Sequence, residues 1–364
     1  MGRKIRLGVL CGGRSAEHEV SVISARSMLE AIDKDKYELV MIGISKEGRW
    51  LSATDTQQLL ASSQVHEDGL TPVALDYLGT RTLVAQQGDW QDQPLDVIFP
   101  LLHGPYGEDG TVQGLMELAN VAYVGAGVVG SAVGMDKELM KRVFKAEGLP
   151  QVDYQIVRRS RWEKDRAGVR AEVEAALAYP VFVKPVNLGS SVGVSKARDG
   201  AELEQSIDEA AQYDYKIVVE AEASGCREVE VAILGNESPE ASITGEIVPG
   251  NDFYDYNAKY IDDNSDLIIP ARISPATQEA VRELGIRAFQ AVEAWGLARV
   301  DFFVRESDEA IFVNEINTMP GFTPISMYPK LWEASGVSYG ELIDRLVQLG
   351  IERHEDKQQT KTAR

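Results

Sequence analysis

The chain has 364 residues and a formal net charge of −20 at pH 7. This length accommodates two or three domains with well-filled cores, and the negative charge argues against a nucleic acid or an anionic membrane as partner. No apolar run approaches the roughly 18 residues of a membrane span. The two cysteines, Cys11 and Cys226, lie far apart in sequence. We therefore expect a cytoplasmic protein in which both cysteines are reduced core residues.

The chain opens with a pattern typical of an α/β domain. Residues 5–10 form an apolar run, two glycines follow, helical spacing begins with Ser15 as the predicted cap, and residues 39–44 are the next strand. This order favours a parallel sheet, and ligands bind at the carboxyl edge of such sheets. Glu17 is predicted at that edge, either as a ligand contact or as a charge that complements the helix dipole.

A second candidate position follows the apolar strand predicted at residues 95–102. The sequence HGPYGEDG at residues 103–110 contains three glycines and a proline, which indicates an exposed turn at the end of this strand. His103 is therefore a candidate ligand contact, and a structural loop histidine is the alternative. Residues 51–95, in contrast, contain no motif to which a chemistry can be assigned.

Residues 125–130 match the pattern GxGxxG after a short apolar run, and Glu147 lies at the spacing of a ribose contact. Taken alone, this match indicates a dinucleotide-binding dehydrogenase. The match does not follow the first strand of a βαβ unit, however, and residues 134–136 interrupt the helix. Close packing of a strand against a helix is the interpretation that we favour.

Two lysines are candidates for binding an anion. Asp136 is predicted to cap a helix with an apolar stripe that includes Leu139 and Phe144, and Lys137 lies in its first turn, where a positive charge opposes the helix dipole. A lysine on a solvated helix face is the alternative. Lys184 ends a buried strand and precedes a loop rich in glycine and serine, residues 187–194. The amides and hydroxyls of such a loop can surround a polyphosphate, although a plain β-turn is the alternative.

The strand at residues 216–220 leads into a linker whose backbone groups are free to bind a flat ring. Residues 249–266 then form a long polar stretch with four aromatic residues, which we interpret as a lid that orders over a site. Lys259 and Tyr260 are its most useful pair chemically. Further along the chain, after a hairpin predicted at residues 299–316, Gly321 and Ser326 lie in a loop that can close on a substrate.

The sequence from residue 299 to residue 316 predicts a β-hairpin in which two apolar runs flank a polar turn at residues 305–309. Because side chains alternate along a strand, Arg299 and Asp301 share a face, as do Glu315 and Asn317. Oxygen ligands of this kind suit Mg²⁺ or Mn²⁺, and a cation relieves the cost of burying carboxylates. Solvated carboxylates joined by a salt bridge are the alternative.

Several motifs in this order identify a resemblance that extends over essentially the whole chain. They are GGRSAEHEVS, HGPYGEDG, MDK, KPVNLGSSVGVSK, YDYNAKY, ARVDFF, NEINTMPGFT and SMYP. The chain resembles the ATP-grasp enzymes and, within them, the D-alanine:D-alanine ligase family. The resemblance implies an α/β protein with the ATP-grasp fold and three α/β domains: a Rossmann-like N-terminal domain at 1–126, a central subdomain at 127–215, and a C-terminal subdomain at 216–364 that contains the lid.

The resemblance also implies roles for particular residues. Those that would bind the nucleotide are Lys137, Lys184, Ser190, Ser191, Val192, Gly193, Glu220, Ala223, Glu228 and Lys259. Those that would bind the amino-acid substrate are Glu17, His103, Tyr260, Arg299, Gly321, Ser326 and Met327; of these Glu17, Tyr260, Arg299, Gly321 and Ser326, together with Ser190, would act in catalysis. Asp301, Glu315 and Asn317 would bind two Mg²⁺ or Mn²⁺ ions.

The implied activity is ATP-dependent ligation of two D-alanines through a D-alanyl phosphate, for the synthesis of peptidoglycan precursors, by a cytoplasmic homodimer. A ligase of the same fold that makes D-alanyl-D-lactate or D-alanyl-D-serine is the nearest alternative. A non-catalytic nucleotide-binding protein is an alternative of a different class, against which the complete set of metal ligands argues. Cys226 and Arg227 depart from the family pattern just before Glu228, so the ribose contact is the less secure part of the implied site.

Overall fold

The structure is a computed structural model that describes residues 3–52, 59–85, 93–248, 266–323 and 325–361. The strands, numbered in chain order, are β1 (Ile5–Gly12), β2 (Tyr37–Ile44), β3 (Trp50–Ser52), β4 (Thr71–Leu75), β5 (Leu83–Ala85), β6 (Val97–Pro100), β7 (Ala122–Tyr123), β8 (Tyr154–Arg158), β9 (Val181–Pro185), β10 (Ser195–Ala197), β11 (Lys216–Ala221), β12 (Cys226–Gly235), β13 (Glu240–Val248), β14 (Asp266–Ile268), β15 (Gly296–Arg305) and β16 (Ile311–Asn317).

Helices lie between these strands and at the end of the chain. They are α1 (His18–Ala31), α2 (Thr111–Leu118), α3 (Val128–Met135), α4 (Lys137–Ala146), α5 (Arg159–Trp162), α6 (Arg166–Ala176), α7 (Gly200–Tyr213), α8 (Pro275–Ala291), α9 (Met327–Ala334) and α10 (Tyr339–Gln358). None of the helices in the described ranges is both long and apolar enough to span a lipid bilayer.

The first sheet has the strand order β5-β4-β3-β2-β1-β6-β7, and its neighbours from β2 to β7 run parallel. Strand β1 is buried along nearly its whole length, as expected for a central parallel strand that is covered on both faces. The loops after β1 and β6 therefore leave the sheet at the same edge. This arrangement confirms the predicted parallel α/β start of the chain and positions Glu17 and His103 on one side.

The predicted start of the first helix was wrong. Helix α1 begins at His18, with Glu17 at the capping position and no side-chain hydrogen bond to the helix from that residue. Ser15 instead accepts a hydrogen bond at Oγ from the Glu17 amide, 3.0 Å away, within the preceding turn. The serine therefore shapes the turn that presents Glu17, because a short hydroxyl side chain readily binds a nearby amide outside a helix.

Two antiparallel sheets follow the first one. The central sheet has the order β10-β9-β11-β8, and the C-terminal sheet has the order β14-β13-β12-β15-β16. Strand β11 thus pairs with β8 and β9 although it begins at residue 216. The predicted division of the chain at residues 126 and 215 stays a prediction.

Helix α4 leads into the central sheet and carries two of the lysines that matter below. Asp136 caps it as predicted, since its Oδ1 accepts a hydrogen bond from the Leu139 amide at 3.0 Å. Met140 and Phe144 are buried, whereas Leu139, which was predicted to belong to the apolar stripe, is 43% exposed. The buried face of α4 is therefore shifted toward the side that carries Met140 and Phe144.

Helix α10 joins the first sheet to the C-terminal sheet. It contacts strands β6 and β7 on one side and β12 and β15 on the other. Buried residues of β1, β12 and α10 belong to a single apolar core, which includes Leu7, Leu234 and Leu346. Because one core is shared, the two sheets hold a defined position relative to each other, and the loops at their facing edges can build one site.

Helix α10 lies very close to the backbone of β7 at Gly350. A Cβ atom there would lie 2.7 Å from the Tyr123 carbonyl oxygen and 3.2 Å from the Val124 nitrogen, both of which are backbone atoms that cannot rotate away. Arg353 reinforces the contact, since its guanidinium donates to the Gly125 carbonyl at 2.7 Å. Only glycine therefore allows α10 to pack this closely against β7.

We expect Gly350→Ala to destabilise the protein by up to about 2 kcal/mol, because overpacking costs about 1–3 kcal/mol and the gain in helix propensity offsets about 1 kcal/mol of it. The matched control is Gly114→Ala in α2, where a Cβ would meet nothing within 4 Å. The control should be neutral or stabilising. Urea unfolding measures both changes, and equal effects of the two substitutions would contradict the packing argument.

Candidate functional site

A cleft of about 440 Å³ lies between the central sheet and the C-terminal sheet. The central sheet contributes Lys184 and Glu220 to its wall, and the C-terminal sheet contributes Glu228, Asp301 and Glu315. The remaining predicted residues on the wall are Lys137, Ser190, Ser191 and Ala223. The cleft therefore brings together candidate residues that are far apart in sequence.

The hairpin of β15 and β16 has the predicted geometry. Arg299 lies opposite Asn317, and Asp301 lies opposite Glu315, with a shift in register immediately after Asp301. All four residues therefore emerge on one face, because residues two apart on a strand share a face and directly opposed residues do as well. The bulge ends this regular pairing next to the site, where such irregularities are frequent.

Charges on this face are paired. The Arg299 guanidinium donates two hydrogen bonds of 2.7 Å to the Asp301 carboxylate and lies 3.0 Å from Glu230 on β12. The Asn317 amide donates to the same carboxylate at 3.1 Å. Burial alone would lower the pKa of Arg299, but the charges of Asp301 and Glu230 raise it well above its usual range. The salt bridge of the alternative interpretation is thus present in this structure.

The same residues also fit a hard divalent cation. Asp301 and Glu315 supply opposed carboxylates and Asn317 an amide oxygen, which are donor types that Mg²⁺ and Mn²⁺ prefer. The Lys137 ammonium from α4 lies 3.6 Å from the Glu315 carboxylate, so this carboxylate has a positive partner in addition to any metal ion. Within the described ranges, no cluster of three or more histidine, cysteine, aspartate or glutamate residues could hold a metal, so Asp301 and Glu315 would need the Asn317 amide as their third protein ligand.

The loop between β9 and β10 has an unusual backbone. Ser190 and Ser191 have φ angles of 49° and 58°, and Gly193 has a φ of 70°. The left-handed region is uncommon for residues other than glycine and concentrates at functional sites. Successive backbone amides in a turn can form a concave anion-binding nest, and this loop offers such a turn. The Val192 amide, in contrast, donates to the Gly189 carbonyl at 3.2 Å and closes the turn.

Both ends of this loop are held at the C-terminal end of α7, by Tyr213 in the helix and by Asp214 just after it. The Asn187 backbone and side-chain amides donate to one oxygen of the buried Asp214, at 2.9 and 2.8 Å. A Cβ on Gly193 would lie 2.7 Å from the Tyr213 ring, so glycine is required both by this contact and by the positive φ. The sequence revealed the loop, but it did not reveal these two supports, which come from residues 20 and 27 positions later in the chain.

The predicted lysines contact polar groups in the cleft. Lys137 donates to the Leu188 carbonyl at 2.8 Å, at the start of the glycine-rich and serine-rich loop. Lys184 is ion-paired with Glu220 at 2.6 Å. A third lysine, Lys141, lies 2.5 Å from the other oxygen of Glu220 and was missed by the sequence analysis. Its position one helical turn after Lys137 was the signal that could have identified it.

A second cavity of about 90 Å³ lies beside the first. Glu17, His103, Arg299, Gly321, Ser326 and Met327, which were all predicted to contact substrate, line it together with Ser190. The Ser190 hydroxyl donates to the Glu17 carboxylate and so connects the loop between β9 and β10 to the first sheet. The structure therefore brings together the predicted substrate residues that it describes; Lys259 and Tyr260 lie outside the described residues.

His103 is held in one orientation. Its Nδ1 lies 3.1 Å from the Met319 carbonyl, and burial holds the pKa of the imidazole below its usual value. The neutral ring then donates from Nδ1 to this carbonyl and keeps a lone pair on Nε2. Nε2 is buried, and no described residue forms a hydrogen bond with it. A buried polar atom of this kind at a cavity wall is suited to accept a hydrogen bond from a ligand.

Gly321, Thr323 and Ser326 line the small cavity on its C-terminal side. A Cβ on Gly321 would lie 2.8 Å from the Ser326 hydroxyl, so this position is restricted to glycine as long as Ser326 keeps its place. The Ser326 Oγ accepts from the Thr323 amide at 3.1 Å and lies 2.7 Å from the Thr323 hydroxyl. Met327 begins α9 immediately afterwards. The tight turn thus presents one hydroxyl and the start of a helix to the cavity.

Glu108, like Lys141, belongs to the candidate site although the sequence did not identify it. Its carboxylate accepts hydrogen bonds from the Gly104 amide at 2.6 Å and the Met319 amide at 3.3 Å, and it lines the small cavity. Burial, and then the charge of Glu17, raise the pKa of the Glu108 carboxyl to about 8. The motif HGPYGEDG contained the residue, but only the fold shows that its side chain points back to the His103 loop.

The prediction that both cysteines are core residues was half wrong. Cys11 is buried in β1, and burial raises the pKa of its thiol to about 12, so it is inert. Cys226 is only partly buried and lies on the wall of the 440 Å³ cleft. It begins β12 directly after a turn at residues 224–225 that also lines the cleft, and this position explains its exposure.

Comparison with known proteins gives a consistent result. A family model described as D-ala D-ala ligase N-terminus matches residues 6–126, and one described as D-ala D-ala ligase C-terminus matches residues 143–348. A D-alanine–D-alanine ligase of Bacillus cytotoxicus is 49% identical over 365 residues, which cover 98% of this chain and 99% of the relative.

Solved structures are similar over nearly the same length. A D-alanine–D-alanine ligase from Coxiella burnetii superposes with a TM-score of 0.85 at 36% identity, covering 98% of this chain and 97% of the other. A D-Ala:D-Ser ligase from Enterococcus faecalis has the same TM-score at 33% identity, covering 96% of this chain and 100% of the other.

The raised pKa of Glu108 predicts a pH-dependent stability. From pH 4.5 to about 8 the folded protein retains a proton that the unfolded chain has lost, so this contribution is fully present below pH 4.5 and disappears as the pH rises through 8. Glu108→Gln should remove this slope. Because the side chain is only partly buried, we expect the difference in unfolding free energy between the wild type and Glu108→Gln to change by roughly 1–3 kcal/mol from pH 4.5 to about 8. Urea unfolding at several pH values tests it, and parallel pH profiles would contradict it.

Proposed function

The chain belongs to the D-alanine–D-alanine ligase family, and we propose that it joins two D-alanines to form D-alanyl-D-alanine while ATP is converted to ADP and phosphate. The product serves the synthesis of peptidoglycan precursors. ATP and D-alanine are the substrates, and a divalent metal is required. We further propose that the protein works as a homodimer in the cytoplasm.

One observation carries the assignment of these substrates to the site. The 440 Å³ cleft and the 90 Å³ cavity have a common wall that includes Ser190, Glu230 and Glu315. The larger space suits a nucleotide, and the smaller one suits a small amino acid. A phosphate at the end of the nucleotide would therefore lie next to the carboxylate of a bound amino acid, which is the arrangement that the first step of ligation requires.

Nucleotide binding is assigned to the large cleft. Lys137 and Lys184 would neutralise phosphate charge, and the amides near Ser190 and Ser191 would surround the phosphates. Glu220 and the backbone near Ala223 would hold the adenine, and Glu228 the ribose. Val192 and Gly193 would shape the loop, and Lys259 would reach the terminal phosphate. The paired charges and the left-handed backbone of the loop support these roles.

Asp301, Glu315 and Asn317 would hold the metal, and we propose two Mg²⁺ or Mn²⁺ ions. When bound, such ions neutralise the phosphate oxygens and make attack by an anionic nucleophile possible. The hard oxygen donors of these three residues and the position of Lys137, 3.6 Å from Glu315, support the assignment.

Binding of the first D-alanine is assigned to the small cavity. Glu17 would hold its ammonium group, and Ser190 would link Glu17 to Tyr260 of the lid. His103 would accept a hydrogen bond at Nε2, and Ser326 and Met327 would contact the substrate from the opposite side. The short contact between Ser190 and Glu17 and the unpartnered His103 nitrogen support this assignment.

The reaction then proceeds in two steps. The D-alanine carboxylate attacks the terminal phosphate to give D-alanyl phosphate and ADP, and the amine of a second D-alanine attacks the carbonyl carbon and displaces phosphate. Arg299 and the Gly321 amide would stabilise the negative oxygen of the tetrahedral intermediate, and one such donor commonly contributes about 3–4 kcal/mol. Closure over the cavity would exclude water, which otherwise hydrolyses the acyl phosphate.

The direct test is phosphate release from ATP with different amino acids and determination of the product mass. We expect D-alanine alone to support turnover and to yield the dipeptide, and L-alanine to support none. Added D-lactate or D-serine should not change the product. A product that contains either compound would establish the alternative ligase of the same fold, and absence of any D-alanine-dependent turnover would contradict the proposal.

The metal assignment has its own test. Glu315→Gln keeps the size of the side chain but removes its charge, so we expect D-alanine-dependent turnover to fall at least about a hundredfold, equivalent to about 3 kcal/mol of transition-state stabilisation. Binding of Mn²⁺ with ADP, followed by electron paramagnetic resonance, should weaken in parallel while the melting temperature stays near that of the wild type.

Glu333→Gln is the matched control because it makes the same chemical change at an exposed position of α9. It should leave turnover and Mn²⁺ binding intact. Retention of most of the activity by Glu315→Gln would remove Glu315 from the set of metal ligands.

A further inference from the structure

Glu220 is bound by two lysines at once. Its Oε1 lies 2.5 Å from the Lys141 ammonium, and its Oε2 lies 2.6 Å from the Lys184 ammonium. The carboxylate is 4% exposed, and the Lys141 side chain is 1% exposed. Both oxygens of a buried carboxylate are thus occupied by positive charges that come from different elements, α4 and β9.

The two lysines differ in their access to the cleft. Lys184 and Glu220 line it, whereas Lys141 lies behind Glu220, with its ammonium 5.3 Å from the centre of the Tyr154 ring. Lys184 is also the more exposed of the two, at 15% of its side chain. A bound nucleotide could therefore reach Lys184 directly, but it could meet Lys141 only through Glu220.

These three groups carry a net positive charge. Burial alone would raise the pKa of Glu220, but the charges of Lys141 and then Lys184 hold it well below its usual range, so the carboxylate is ionised. Two ammonium groups and one carboxylate leave one positive charge among these three side chains, and the more distant carboxylates of Glu315 and Glu228 compensate part of it. A buried excess charge is unfavourable, and an anion entering the cleft would compensate it.

We propose that Lys141 is a positioning residue for nucleotide binding: it remains paired with Glu220 and thereby allows Lys184 to leave Glu220 and contact the phosphates of ATP. This inference rests on the proposed use of ATP and adds a residue that does not touch the nucleotide. Without Lys141, Lys184 is the only cation on Glu220. Its movement to a phosphate would then leave a buried carboxylate unpaired, and the excess positive charge would also be lost.

The substitution Lys141→Met tests the proposal, with binding of ADP and Mg²⁺ measured by calorimetry and turnover measured under saturating D-alanine. We expect the dissociation constant for ADP and the KM for ATP to rise roughly 10- to 100-fold. The KM for D-alanine should stay within about twofold, and kcat should change less than the KM for ATP, since Lys141 does not approach the reacting atoms.

Lys145→Met is the matched control. It removes the same charge from the same helix one turn later, at an exposed position. It should leave ADP affinity and both KM values unchanged. Equal loss of ADP affinity in the two variants would show that the overall charge of α4 matters and that the pairing of Lys141 with Glu220 does not.

A double-mutant cycle separates positioning from a merely structural role. In a Glu220→Gln background no carboxylate competes for Lys184, so adding Lys141→Met should change ADP affinity by less than about threefold. A structural role would give the same loss in both backgrounds. If Lys141→Met alone does not fold, the comparison of Glu220→Gln with the double variant decides the question, because the double variant removes both charges of the pair together. A loss of ADP affinity greater than about threefold in that comparison would overturn the positioning role.

The outcomes for the wild-type protein distinguish this inference from the proposed function. If the wild type neither binds ADP with Mg²⁺ nor turns over ATP with D-alanine, the proposed function fails. If the wild type does both and Lys141→Met binds ADP as tightly as the wild type, only the role of Lys141 is overturned.

Discussion

Arg299 and Asp301, two residues apart on one face of β15, form a doubly hydrogen-bonded ion pair between the two cavities. Glu230 flanks the pair from β12, and Asn317 donates to it from β16. Neither charge could remain in this poorly hydrated place without a partner. The requirement for charge compensation therefore fixes the relative positions of three strands, and with them the positions of the residues that face ATP and D-alanine.

The same requirement recurs along the cleft. Glu220 is compensated by two lysines, and Lys137 approaches Glu315 while it donates to the Leu188 carbonyl. Each carboxylate is thus held by a cation that an incoming phosphate or metal can exchange. A site organised in this way needs little rearrangement of the backbone on binding, because new ligands replace existing ionic partners, and preorganisation of this kind favours catalysis.

The residues of the candidate site come from three sheets. Parallel strands present Glu17 and His103 at one edge of the first sheet. The central sheet contributes the loop between β9 and β10, and the C-terminal sheet contributes the hairpin of β15 and β16. Helix α10 and the core that it shares with β1 and β12 hold the first and last of these sheets together. The short contact from Ser190 to Glu17 completes the connection on the side of the cavities.

Local patterns were sufficient to predict the hairpin and the loop after Lys184, since alternation along a strand and a run of glycine and serine depend only on neighbouring residues. They did not identify Glu108 or Asp214, because the partners Met319 and Asn187 lie 211 and 27 residues away in sequence. The helical spacing of Lys137 and Lys141 was visible in the sequence, but the pairing of Lys141 with Glu220 arises only when the sheets assemble. The cap at Ser15 was wrong for a related reason, because a turn hydrogen bond and a helix cap use the same type of side chain. Strand β11 joined the central sheet through pairing that propensity does not determine.

Glu315 and Ser190 belong to the walls of both cavities, so the two spaces adjoin without an intervening partition of their own. A single compound with an adenine-like end and an amino-acid-like end would occupy both at once. Once one end is bound, the other end is held close to its own cavity at a high effective concentration. The compound would therefore bind more tightly than either half alone, and its two ends would need only a very short linker. The shared wall makes this chain open to bisubstrate inhibition.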